Sequence, residues 1–294
     1  MSSEPEPTVA RFLVVLSEPD PVARAVEELW GTGIATGEHV DGAAVRRFED
    51  GLTVVRRPVR HIHDERLDLR LSEALRAEHR TLVFPSVHRS VSGTRCFTVH
   101  PLGNPGPVAE LGGRPRSLVP TDARAMAGVL RSLREAGGRL GVPATYEATH
   151  HGPLFAEPAF FVEIAHPDAS APRAEEVRGL ADAVRSASID PADRIALGAG
   201  GGHYAPRFSD LAIARRWAFG HLLSRHALAE IDPPTARAAW DATVGAEGIV
   251  YVRAQDRSVP ALAGLGPELR DTYAERRAGA PRAPTSGDRP ASGT

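Results

Sequence analysis

The chain has 294 residues, with 42% apolar and 24% charged side chains, which excludes a disordered or fibrous protein. At this length roughly three quarters of the unfolded surface can be buried, so a core forms without disulfide or metal staples. The 35 basic and 37 acidic residues leave a net charge of −2, and every basic residue is arginine. The lack of lysine excludes a Schiff-base lysine, a P-loop lysine and a lysine general base. Any nucleic-acid partner must therefore be held by a local arginine patch, not by the field of the whole molecule.

Residues 12–16 (FLVVL) form a short apolar run of buried-strand type. Asp20-Pro21 then opens a helix that closes at Trp30-Gly31. Residues 44–48 and 52–57 flank Glu49-Asp50-Gly51 as a hairpin. Its arginines, Arg46, Arg47, Arg56 and Arg57, with Arg60 beyond, allow two readings: a solvated edge that resists aggregation, or a phosphate-contacting patch. Further on, the pattern predicts a short helix over 72–78, strands over 81–85 and 96–100, and a helix from the Thr121-Asp122 cap to Gly137-Gly138. Strands follow at 146–148, 160–165, 194–198 and 249–253, with helices at 174–188, 208–218 and 234–243. The alternation predicts an α/β fold of three layers around a parallel or mixed sheet. The expected organisation is a flexible N-terminus over 1–10, a single α/β domain over 11–277 and a disordered tail over 278–294, rich in Pro, Gly, Ser and Arg.

Cys96 is the only cysteine, so there is neither an internal disulfide nor a cysteine-rich zinc site, and its simplest role is a small buried apolar group. The N-terminus lacks a signal peptide's basic start and apolar core, and no apolar run approaches the ~18 residues of a membrane span. The expectation is a cytoplasmic protein with no membrane contact and no obligate protein partner.

Twelve histidines are unevenly placed. His88, His100, His150, His151, His203 and His221 all stand within two residues of a Gly, Pro or Ser near expected strand ends, where α/β folds place ligands. Four segments concentrate them: SVHRS (86–90), TVHPLGN (98–104), EATHHGP (147–153) and GAGGGHYAPRF (198–208), the last leading to Gly220-His221. In an extended 147–151 segment Glu147, Thr149 and His151 share one face and His150 the other. Such a cluster can ligate a metal or assemble a general base. The glycine run at 198–202 fails both the dinucleotide and the P-loop pattern, and reads instead as backbone that lets a substrate approach and offers amides to an oxyanion.

These segments resemble the archaeal and plant type of D-aminoacyl-tRNA deacylase. EATHHGP at 147–153 and GGGHYAPRF at 200–208 match that family in full; Thr98-Val99-His100 with Gly103-Asn104 matches too, as does the opening LSEPDPVA at 16–23. The likeness runs in order over about residues 12–253. Departures lie at Val87 and Arg89, and at Ser224, Arg225 and His226, where the family pattern has Pro, Lys and Tyr. They bear on substrate preference more than on reaction type.

The resemblance implies a phosphorylase/peptidyl-tRNA hydrolase-like fold and a hydrolase that cleaves the ester between a D-amino acid and the tRNA 3′ ribose. It also implies aminoacyl-tRNA as partner and zinc as cofactor. Alternatives are a peptidyl-tRNA or other aminoacyl-ester hydrolase, and a non-catalytic tRNA- or nucleotide-binding homologue. The expected catalytic residues are His151, His203 and Glu147. His88, His100, His150 and Glu163 are the expected metal ligands, with one or two zinc ions that His151, His203 and Glu147 also have the chemistry to hold. Substrate contacts are expected from Ser86, His88, Asn104, Gly200, Gly201, Gly202, Tyr204, Arg207 and His221. Arg207, Arg225 and the hairpin arginines are expected on phosphates.

Overall fold

The structure, a computed structural model, describes residues 8–79, 81–89, 93, 95–167 and 173–270. The tail expected over 278–294 and residues 1–7 of the expected N-terminal segment lie outside the described residues, as does Ser90 of the SVHRS segment.

The chain opens with strands β1 (Thr8–Val9) and β2 (Leu13–Ser17), helix α1 (Pro21–Trp30), and strands β3 (Ile34–Val40), β4 (Ala43–Arg47) and β5 (Thr53–Arg57). Then come α2 (Glu73–Glu78), β6 (Leu82–Arg89), β7 (Cys96–Pro101), β8 (Gly103–Asn104) and β9 (Ser117–Leu118). The middle holds α3 (Ala123–Leu140), β10 (Ala144–Tyr146), β11 (Ala159–His166), α4 (Ala174–Ser186) and β12 (Ser188–Ile189). The last third holds β13 (Arg194–Ala199), α5 (Pro206–Arg215), β14 (Trp217–Leu223), α6 (Arg225–Glu230), α7 (Pro233–Ala242) and β15 (Gly248–Tyr251).

Eight strands form one mixed sheet in the order β10-β7-β11-β6-β2-β5-β4-β3, and β14-β13-β15 form a smaller parallel sheet. The α/β class and the mixed sheet agree with the sequence pattern, as does the hairpin, where Val45 pairs with Val55. The caps read from sequence are present: the Asp20 carboxylate accepts from the amides of Val22 and Ala23, and Asp122 from that of Ala125. Helix α3 packs on β7, β10 and β14 and so ties the two sheets together. β1, inside the segment expected to be flexible, pairs with β12.

Three expectations fail. First, α3 runs through Gly137-Gly138 to Leu140 and is capped by Gly141 at φ +66°. Gly137 is small for another reason: a Cβ there would stand 2.1 Å from the Val142 carbonyl oxygen. Second, the helix expected to reach 218 ends at Arg215, and Trp217 starts β14. Gly220 and His221 therefore lie inside a fully buried strand, not in a turn. Third, the strand expected at 146–148 ends at Tyr146, and the chain beyond turns away: the Glu147 amide donates to Val99 and the Ala148 amide to His203.

Candidate active site

The chemistry lies on the face of the large sheet and runs out to the carboxyl ends of β2, β5 and β6, where Ser17, Asp20, Arg60 and His88 line the cavity. In register, Glu163 of β11 stands between Ser86 of β6 and Thr98 of β7. Alternation then puts Ser86, His88, Thr98, His100, Phe161 and Glu163 on one face. The 147–151 segment and His203 descend onto that face from above: His150 lies 4.1 Å, ring centre to ring centre, from His100, and His203 lies 5.5 Å from His88.

Five imidazoles and two carboxylates thus meet from five separate segments. Glu147 Oε2 is 3.3 Å from His203 Nε2, 3.6 Å from His150 Nε2 and 4.0 Å from His88 Nδ1. Glu163 Oε2 is 3.3 Å from His88 Nδ1 and 3.5 Å from His100 Nε2. Both carboxylates are buried. Beside them lies a cavity of about 740 Å³ lined by Ser86, His88, His150, His151, Glu163 and His203 on its polar side and by Ile62, Val87, Leu111 and Phe161 on its apolar side.

The tautomers follow from the carbonyls around the rings. Nδ1–H of His150 donates to Ala148 at 2.8 Å, that of His151 to Gly152 at 2.6 Å, and that of His100 to Pro101 at 3.2 Å. A neutral ring so committed carries its lone pair on Nε2. The Nε2 lone pairs of His150 and His100 then face the carboxylates Glu147 and Glu163, acceptor against acceptor. Among the described residues none of these four groups has a hydrogen bond at the facing atoms: His100 Nε2, His150 Nε2, Glu163 Oε2 and both Glu147 oxygens are buried without a partner there. Such a confrontation needs a cation between the groups, either a proton or a metal.

Protons answer it on the Glu163 side. Burial opposes a charge on His88, but the Glu163 and Glu147 carboxylates outweigh it and raise that imidazole to about 9. His100 is likewise raised against its burial by Glu163, and Glu163, against its own burial, is held well below the usual carboxylate range by His100 and His88. Around Glu147 the balance reverses. Burial, reinforced by the neighbouring imidazoles, pushes His150 well down, and burial with His100 pushes His151 to about 4.

The donor set at Glu147 fits a metal ion. His88, Glu147, His150 and His203 each offer one atom, and all four atoms lie within 4.8 Å of one another. Ligands about 2.0–2.1 Å from a tetrahedral centre stand roughly 3.4 Å apart, close to the spacings found, and imidazole with carboxylate is a zinc-type set. The carbonyl bonds at Nδ1 of His150 and His100 are the outer support that metal-bound histidines ordinarily have. Two further groups, His100 with His150 and His151, and His100 with Glu147 and Glu163, share these residues.

Other expected site residues do not join the cavity. His221 is fully buried: its Nε2–H donates to the Val119 carbonyl and its Nδ1 accepts from the Thr149 hydroxyl, so it braces the 147–151 segment rather than contacting a ligand. The Asn104 amide donates to Gly112 and holds a loop. Of the segment 200–207 only His203 lines the cavity. The Gly200 amide is committed to Leu223, and Gly200 is glycine because a Cβ would meet the Asp256 carboxylate at 2.1 Å. Tyr204 packs its ring against His203 at 5.3 Å, and Arg207 is half-buried away from the cavity. Cys96 is buried, as expected, and burial pushes its thiol to about 12.

The hairpin arginines are engaged in salt bridges. Arg46 pairs with Glu27, Arg47 with Glu78, and Arg56 with Glu18 and Glu27. Arg57 is buried between Asp41 and Asp64. They do not form an open phosphate patch.

Sequence reasoning missed the residues that hold the histidines in place. Glu65 accepts from Gly113 at 2.5 Å and from Leu154 at 2.8 Å, clamping both loops beside His150 and His151. The free oxygen of the Asp20 cap accepts from the Ser86 hydroxyl and the Val87 amide, fixing β6 below His88. Asp20 was legible only as a helix cap, and Glu65 carried no local signal.

Buried carboxylates set against imidazole lone pairs, beside an open cavity on a mixed sheet, are the working parts of a hydrolytic α/β enzyme. The sequence profile of the D-aminoacyl-tRNA deacylase family matches residues 75–261. The D-aminoacyl-tRNA deacylase of Thermoplasma acidophilum is 33% identical over 180 residues, covering 61% of this chain and 70% of that protein. That of Archaeoglobus fulgidus is 30% identical over 220 residues, covering 73% and 77%. The enzyme of Methanosphaerula palustris is 38% identical over 218 residues, which make up 72% of this chain but 47% of that protein. The crystal structure of a conserved protein of unknown function superposes with a TM-score of 0.73 at 26% identity, covering 88% of this chain and 94% of that one. The chain belongs to the D-aminoacyl-tRNA deacylase family.

Proposed function

We propose that this protein hydrolyses the ester joining a D-amino acid to the 3′-terminal ribose of tRNA, releasing free D-amino acid and tRNA, with zinc held by His88, Glu147, His150 and His203. The observation that carries the reading is the buried Glu147 carboxylate, both oxygens without a hydrogen bond, surrounded by three imidazole nitrogens. Bound there, zinc would lower the pKa of a water and polarise an ester carbonyl.

The chain's own residues do the rest. His151 has its Nδ1–H committed to Gly152, so its Nε2 is the nitrogen able to take a proton from the attacking water and return it to the ribose oxygen as the ester C–O bond breaks. Glu163 keeps His100 in orientation at 3.5 Å, and His88, beside the same carboxylate, would give up its proton on ligating the metal. Ile62, Val87, Leu111 and Phe161 offer the apolar wall for the amino-acid side chain. Glycines 200–202, which stand outside the cavity lining, have no part as oxyanion donors in this arrangement. A reaction on tRNA suits a cytoplasmic enzyme.

The test is deacylation of D-aminoacyl-, L-aminoacyl- and peptidyl-tRNA by the purified protein, with elemental analysis before and after chelation. Release from the D-aminoacyl ester, at least 100-fold faster than from the L form and lost with the metal, is the expected result. Full activity of the metal-free protein removes zinc, and preference for peptidyl-tRNA replaces the substrate.

A further inference from the structure

A tRNA 3′ end brings phosphodiester charge to a cavity that already holds Glu163 and adjoins Glu147, so a cation must offset it. The imidazoles of the cavity and the proposed zinc already face Glu147 and Glu163, so with no lysine in the chain the cation left for a phosphate is an arginine. Arg60 is the one arginine among the described residues that line the cavity. It is exposed, and no carboxylate or hydrogen-bond acceptor engages its guanidinium among the described residues, in contrast to Arg56 and Arg57 a few positions earlier. The helix end nearby is no competitor for an anion, because the Asp20 carboxylate already takes the first amides of α1.

The backbone that carries Arg60 is fixed on both sides. The Ser17 hydroxyl donates to the Val59 carbonyl at 2.8 Å, His61 Nε2–H donates to the Val15 carbonyl at 3.0 Å, and the Arg60 carbonyl accepts from His63. The His61 ring is further locked edge-on against Phe84 and Phe161. A guanidinium without a partner on anchored backbone at a cavity mouth is placed to reach an anion, and only its side chain remains to be ordered on binding. The residue lies outside the span 75–261 that the family profile matches.

Building on the deacylase reading, we propose that Arg60 is the phosphate anchor of the substrate: its guanidinium binds the 5′-phosphate of the 3′-terminal adenosine, so that the nucleoside and its aminoacyl group enter the cavity together. A volume of about 740 Å³ lies within the usual range for drug-sized ligands and leaves room for both.

The experiment uses a non-hydrolysable probe, 3′-deoxy-3′-(D-phenylalanylamino)adenosine, with and without a 5′-phosphate, titrated calorimetrically into the wild type and into Arg60→Ala, Arg60→Lys and Arg56→Ala. The wild type should bind the phosphorylated probe about 10–100-fold more tightly, the range of a charge-assisted hydrogen bond. Arg60→Ala should bind both probes equally, with unchanged affinity for the nucleoside; Arg60→Lys should keep part of the preference, and Arg56→Ala all of it. The proposal is overturned if the wild type shows no preference, if Arg60→Ala retains it, or if Arg56→Ala loses as much. Phosphate discrimination by a protein that does not deacylate D-aminoacyl-tRNA would leave Arg60 as the anchor and sink the deacylase reading instead.

Discussion

The hairpin of β4 and β5 and the segment 147–151 both read in the sequence as clusters of ionisable residues, and they use them in opposite ways. In the hairpin each arginine is paired, and Arg57 is enclosed by Asp41 and Asp64. Around Glu147 the polar atoms are just as close but mismatched, lone pair facing lone pair, with no hydrogen bond at the carboxylate. Paired charges have spent their interaction energy inside the fold. Unpaired buried acceptors cost folding free energy, which is recovered only when something binds. The contrast separates a cluster satisfied within the fold from one open to a ligand where residue type alone does not.

Glu147→Gln should break the contrast most sharply. Removing the buried charge should lower deacylation by about 10²–10⁴-fold, the scale of losing a central catalytic group, and reduce bound metal measured by elemental analysis. The same change should leave the metal-free protein's melting temperature equal or higher, since an uncompensated buried carboxylate is gone. A lower melting temperature in that metal-free comparison would mean that Glu147 is internally satisfied.

Arg57→Ala should do the reverse. Breaking a buried pair leaves Asp41 and Asp64 to Arg70 alone, so unfolding in urea should show a loss of about 3 kcal/mol while activity per folded molecule is unchanged.

His221 supplies a pH-dependent test. Burial pushes its imidazole to about 4, against about 6.5 when unfolded. Between those values the unfolded chain binds the extra proton, so the stability from the neutral ring is complete above pH 6.5. It is lost as pH falls toward 4, by about 3 kcal/mol in all. His221→Gln should flatten the wild-type stability profile by that amount over this window; identical slopes in the two proteins would show that His221 titrates normally.

Arg56→Ala should do least. Its pairs with Glu18 and Glu27 are solvent-exposed, so the stability change should stay under about 1 kcal/mol and shrink further with salt. A clear loss of tRNA affinity in this variant would restore the hairpin as a nucleic-acid surface.

How much was legible varies with the range of the interaction involved. Asp20-Pro21, Ser72 and Asp122 announce helix starts because a cap needs only the next two or three amides. The apolar runs at 81–85, 160–165 and 194–198 announced β6, β11 and β13, although β6 continues four residues further to Arg89. The segments dense in histidine do come together: His88, His100, His150, His151 and His203 converge with Glu147 and Glu163. His221 carries the same local signature, a histidine after glycine, yet it is a buried brace. That distinction depends on Val119 and Thr149, 102 and 72 residues away in the chain.

The sequence by itself determined the α/β class, the caps, the absence of lysine and cysteine chemistry, and the segments from which a site could be built. These properties rest on residue types and on contacts a few positions long. The tertiary structure decided that the site lies on the sheet face across β6, β11 and β7, that Glu147 is buried among three imidazoles, that Glu65 clamps the histidine loop, and that the hairpin arginines are paired while Arg60 has no partner among the described residues. Each of these is a choice of partner. Partners are selected by sheet order and by burial, which place groups tens of residues apart within 3–4 Å and strip them of the water that would otherwise make the choice immaterial.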